Sequence, residues 1–146
     1  MDFQQLTRPA PTSTPRTLAR IALGAALAGA GITHLTVARE EFQAQVPAWF
    51  PVDEDVTVLA SGAAEIALGG ALVVLPRWKV AAGLLVAAFF VVIFPGNVAQ
   101  WLEGKDGFGL DTDGKRLGRL FFQPVLVAWA LWSSGAWPAL RRAVRG

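Results

Sequence analysis

Six polar side chains interrupt or border long apolar runs: His34, Glu65, Asn97, Gln100, Arg119 and Gln123. Ionisable and amide groups at membrane depth are costly, so their positions carry information. A carboxylate such as Glu65 in hydrocarbon must be protonated, paired or open to water. Arg119 is its expected partner, because a long guanidinium side chain can reach down from an interface. Such a pair serves helix packing as readily as ligand binding. His34 is the chain's one histidine and cysteine is absent. No haem, zinc, thiolate or iron–sulfur site is therefore assigned within the chain, and no metal ligand. Taken alone, His34 fits a hydrogen-bonded structural histidine. No nucleophile–base pair or phosphate loop is present, so no catalytic residue is assigned and a stand-alone enzyme is not expected. Pro95 and Pro124 deprive the carbonyls of Val91 and Leu120 of their helical donors. Asn97 and Gln123 are placed to supply replacements, and amides beside broken helices also make small-ligand sites.

The elements that must position these groups are apolar. The chain of 146 residues is 53% hydrophobic and 16% charged, with mean hydropathy +0.44. A water-soluble domain of this size has too much surface to hide that content, whereas lipid can solvate the outer faces. Four spans are expected, over about 17–37, 56–75, 80–102 and 119–138, forming one four-helix domain over 16–140. Residues 1–15 read as a flexible tail and 141–146 as a basic tail. The first run is short and follows Arg8, Arg16 and Arg20, so a signal peptide competes, with Ala28-Gly29-Ala30 as its cleavage site; the expectation is a retained span. Residues 39–55 read as an interfacial loop broken by Pro47 and Pro51, with Phe42, Trp49 and Phe50 at headgroup level. Residues 103–118 read as a soluble loop. Trp101 and Trp137 join Trp49 in interface belts, while Trp129 and Trp132 face lipid or a partner.

Helix rise converts these spans into depths. His34 lies roughly 27 Å and Asn97 roughly 26 Å from one end of the bundle. Arg119 and Gln123 fall within about 6 Å of the opposite end, and Glu65 about 14 Å below it. The polar groups thus share one half, leaving the other half apolar. Gly24, Leu27, Gly31 and His34 form one helical stripe; Gly62, Glu65, Gly69 and Leu72 form another. Glycines beside each polar group allow close backbone approach, so both stripes are expected to face inward.

Charge sets the topology. Arg8, Arg16, Arg20, Arg77, Lys79, Arg141, Arg142 and Arg145 share one side with a single acid, Asp2. Arg39, Lys105, Lys115, Arg116 and Arg119 share the other with nine acids. The positive-inside rule then gives cytoplasmic N and C termini in a multi-pass protein of the plasma membrane. The pI near 9.7 is explained by this asymmetry, and nucleic acid is not an expected partner.

In order, Gly31-x-x-His34, Val46-Pro47-x-x-x-Pro51, Ser61-Gly62-x-x-Glu65-x-x-Leu68-Gly69, Phe94-Pro95-Gly96-Asn97 and Arg119-Leu120-x-x-Gln123 resemble the DoxX-like family of small membrane proteins. The likeness covers nearly all of the chain beyond residue 16. It departs at Gly96, where many relatives carry Ala or another residue, and at Leu35, where Phe often follows the histidine. The resemblance implies a four-helix membrane bundle. Family members include a subunit associated with thiosulfate–quinone oxidation in archaea, proteins of a bacterial membrane oxidoreductase complex handling oxidative stress, and eukaryotic receptor-assembly chaperones. The leading expectation is a non-catalytic membrane subunit of a redox or quinone-linked complex, with no intrinsic cofactor and with quinone or lipid as ligand. A scaffold for other membrane proteins is the alternative, and a small-solute transporter, needing homo-oligomerisation, the third.

Overall fold

The computed structural model describes residues 3–8 and 11–146, without the side chain of Gln5. Among these residues the secondary structure is entirely helical. The helices are α1 (Gln4–Thr7), α2 (Thr14–Leu35), α3 (Arg39–Gln43), α4 (Glu54–Val74), α5 (Lys79–Leu102), α6 (Asp113–Ser134) and α7 (Ala136–Arg145), with a 3-10 turn at Pro76–Trp78. Local chemistry sets the boundaries. Asp53 caps α4 by accepting from the backbone N–H of Asp55 (2.9 Å) and Val56 (3.2 Å). Glu54 and Asp55 then add negative charge to the first turn, where the helix dipole favours it. Thr112 caps α6 through Lys115 N–H at 3.2 Å. Gly135 ends α6 in the left-handed region (φ 79°), which glycine enters without steric cost.

Helices α2, α4 and α5, the last taken with its 3-10 turn, are long and apolar enough to cross a membrane. Only 28–39% of their most apolar windows is buried within the protein, so most of that apolar surface faces outward. Lipid is the solvent in which this is stable, and the chain is a membrane protein.

The four long helices pack in a ring: α2 on α4, α4 on α5, α5 on α6, and α6 back on α2. The α2–α4 seam is the tightest. A Cβ at Gly24 would lie 2.7 Å from the Gly69 carbonyl oxygen, and one at Gly31 would lie 2.5 Å from that of Gly62. Each step of seven along α2 meets a step of seven back along α4, an antiparallel register of small residues. The apolar core, including Leu23, Leu27, Leu72, Val86, Phe90 and Ala130, sits mostly toward one end.

That end is basic. Arg16 on α2 donates from Nε (2.8 Å) and Nη2 (2.5 Å) to the Trp132 carbonyl, and Arg20 donates to the Leu72 carbonyl. These carbonyls lie in the last turns of α6 and α4, where main-chain acceptors lack helical donors and a cation is favoured. Arg20 is buried, as are Ser133 and Ser134. The expected wholly apolar half is therefore corrected: helix-end capping draws polar groups into it.

Other boundaries move as well. The fourth long helix starts at Asp113, not 119, and stops at Ser134, because Gly135 turns the chain into α7. The basic tail is consequently the end of a helix whose Ala136, Ala139 and Ala143 are buried. The flexible tail expected over 1–15 is also revised. Leu6 of α1 packs with Val80, Ala136 and Ala139, and α2 begins at Thr14; residues 1, 2, 9 and 10 of that tail, Asp2 of the charge count among them, lie outside the described residues. Trp129 points inward, its Nε1–H donating to the Ala19 carbonyl at 2.9 Å.

Candidate functional site

Toward the other end the four helices separate around a cavity of about 620 Å³. His34 (α2), Glu65 (α4), and Arg119 and Gln123 (α6) all line it; the remaining wall is mostly apolar, with Leu27, Val58, Phe89, Phe90 and Ile93. Val92 is another lining residue and is 74% exposed. The cavity therefore reaches the outer face of α5.

Glu65 does not pair with Arg119. His34 Nδ1 lies 3.0 Å from Glu65 Oε2, with both side chains buried. The reason is the direction of side chains on helices: each leans toward its own N-terminus. In an antiparallel pair these directions oppose, so His34 reaches down and Glu65 reaches up. Nδ1 also lies 2.8 Å from the Ala30 carbonyl. One ring nitrogen thus faces two acceptors, and Oε2 has no hydrogen-bonding partner among the described residues beyond that contact. The imidazole stacks on Phe42, with centroids 3.2 Å apart and planes at 17°.

Arg119 instead donates from Nη1 to Gln123 Oε1 at 3.1 Å, and Asn97 Nδ2 donates to the same oxygen at 3.3 Å. Gln123 Nε2 donates to the Phe90 carbonyl at 2.6 Å. The expectation that Asn97 and Gln123 would serve the carbonyls of Val91 and Leu120 is corrected accordingly. The amide of Gln123 bridges α6 to α5, one residue from the carbonyl that Pro95 frees. Asn97 Oδ1 is buried without a partner among the described residues. Gln100 stands apart, its Nε2 donating to the Lys105 carbonyl at 3.3 Å. Thus His34 and Glu65 form one set, Asn97, Arg119 and Gln123 a second, and Gln100 anchors a loop.

The 39–55 segment is a cap over this end. Arg39 pairs with Asp55, and Gln43 Nε2 donates to Asp55 Oδ1 at 3.2 Å, tying both ends of the segment together. Gln45 presents its carbonyl against the backbone of Gly96, an approach that any Cβ there would obstruct. Lys105 donates from Nζ to the Val46 carbonyl at 3.0 Å. Phe108, held at φ 54°, turns its ring edge-on to Phe42. Phe42 accordingly covers His34, whereas Trp49 and Phe50 remain exposed as expected of interfacial aromatics. Sequence reasoning placed Phe42 at headgroup level and missed its stacking on His34 and the Arg39–Asp55 tie; opposite charges at the two ends of one loop were the available signal for the tie.

Glu103 makes the cap contact pH-dependent. Its Oε1 accepts the backbone N–H of Ala48 at 3.0 Å, and Oε2 lies 3.0 Å from Lys105 Nζ. First the Ala48 N–H and then Lys105 hold the carboxyl below its ordinary value of 4.5. A lowered carboxyl contributes above its ordinary pKa and loses that contribution as pH falls through the lowered value. The Ala48 amide resonance should titrate with an inflection below pH 4.5, and Glu103→Gln should remove the inflection.

Comparison with curated proteins and with solved structures finds no match. A family model matches residues 23–134, from the middle of α2 to the end of α6, and so takes in His34, Glu65, Asn97, Gln100, Arg119 and Gln123. The chain belongs to that family, described as Domain of unknown function (DUF8561).

Proposed function

We propose that the chain is a DoxX-like four-helix bundle of the plasma membrane with both termini cytoplasmic, acting as a non-catalytic subunit of a redox or quinone-linked complex. In this reading α6 is the fourth span and the cavity holds a quinone headgroup. The cavity's composition carries the proposal: His34, Glu65, Arg119 and Gln123 line a mostly apolar chamber that reaches the lipid-facing side of α5. Ligand sites of this kind combine apolar walls with a few placed polar groups, at volumes of roughly 300–1,000 Å³. Arg119 can donate to one carbonyl oxygen of a quinone, and the His34–Glu65 pair can exchange a proton with the other. Partner proteins would supply electron transfer.

Purified protein in detergent should bind a short-chain benzoquinone, and Glu65→Gln should weaken that binding by about tenfold, the equivalent of one charge-assisted hydrogen bond at roughly 1.5 kcal/mol. Absence of binding in both proteins would overturn the reading. A crosslinked membrane partner without any bound small molecule would replace it with the scaffold alternative.

A further inference from the structure

A second depression, of about 800 Å³, runs along α5 and α6 to the α6–α7 elbow. Its walls are apolar: Val91 and Phe94 from α5, Val127, Ala128 and Leu131 from α6, with Trp137 at the elbow. Arg16 is the cation that lines it. From Gln123 to Trp132 the groove follows about 14 Å of helix, close to half of a hydrocarbon core of about 30 Å. That is the depth of one leaflet.

We infer that this groove binds one acyl chain of an anionic phospholipid, with the lipid phosphate on Arg16. Nε and Nη2 of Arg16 hold the Trp132 carbonyl, and the guanidinium lies 5.8 Å from the centre of the Trp132 ring. The fork is thereby fixed at the groove's end with N–H donors remaining for an acceptor. Charge makes the headgroup preference. Arg8, Arg77, Lys79, Arg141, Arg142 and Arg145 belong to the same end, and among the described residues no Asp or Glu does. A partner helix would have to bring a carboxylate to that depth, whereas a phospholipid carries its phosphate there at the end of its chains. The groove meets the first cavity only at Gln123, and its phosphate site at Arg16 lies at the opposite end.

Native mass spectrometry in mild detergent tests this with phosphatidylglycerol and phosphatidylcholine of matched chains. Wild type should retain phosphatidylglycerol with about tenfold preference, the scale expected of one basic group at a membrane surface. Ala128→Trp, which fills the groove from an exposed position and leaves the Arg16 side chain in place, should abolish retention of both lipids. Arg16→Gln should keep lipid binding and lose the headgroup preference. Should Arg16→Gln fail to fold, Ala128→Trp still decides. Equal retention of the two lipids by wild type, unchanged binding by Ala128→Trp, or a co-purified protein occupying the groove would each overturn the inference.

Discussion

Replacing His34 with alanine should lower the unfolding free energy by roughly 1–3 kcal/mol, the usual loss when a buried polar group is left without its partner. Glu65 would keep its buried position but lose the contact at 3.0 Å, and Phe42 would lose the ring on which it stacks. Glu65→Leu combined with His34→Ala should recover part of that loss, because no unpartnered carboxyl group remains buried. A double-mutant cycle by thermal melting in detergent measures the coupling, with at least about 1 kcal/mol expected for groups in direct contact. Strict additivity of the two single changes would show that the pair contributes nothing to the fold.

The second large effect is expected at the glycine seam. A Cβ at Gly31 meets the Gly62 carbonyl at 2.5 Å and the Ile66 backbone nitrogen at 2.9 Å. Neither is the movable end of a side chain, so α2 and α4 must part. Gly31→Leu should therefore cost more than about 3 kcal/mol, the upper end for overpacked sites. Gly29 on the same helix provides the control, since a Cβ there meets nothing within 4 Å. Gly29→Leu should melt within a few degrees of wild type. If both variants behave alike on size exclusion and melting, close packing across the seam is not what Gly31 supplies.

Much of this seam was legible in the sequence. The stripes Gly24–Gly31 and Gly62–Gly69 have equal spacing, and equal spacing is what an antiparallel glycine contact requires. The pairing of Glu65 was misread because depth along a helix says nothing of where a side chain leans. Roughly 9 Å separates the levels of His34 and Glu65 at helix rise, and opposed side-chain directions close that gap. The start of α6 was hidden for another reason. Asp113, Lys115, Arg116 and Arg119 give its first two turns the composition of a loop, although Thr112 before an acid is a capping signal. Arg116 bonds there to Asp106 at 2.9 Å and Asp113 at 3.0 Å, so that turn is held by ion pairs and not by burial of apolar residues. The α7 boundary was legible at Gly135, whose position just after an apolar helical run marks an end. The fold around Phe42 and Gly96 was not, because a contact between a loop carbonyl and a distant glycine leaves no periodic trace.

The arginines at the basic end also bear on the order in which the protein is made. Arg16 and Arg20 belong to the earliest made of these four long helices, and the carbonyls they satisfy belong to α6 and α4. Until α4 is synthesised Arg20 has no acceptor there, and until α6 arrives Arg16 has none. Biosynthesis therefore proceeds with two charges waiting near the end of α2, each relieved by a later hairpin. The contacts of both arginines are complete at this end only when α6 has been delivered.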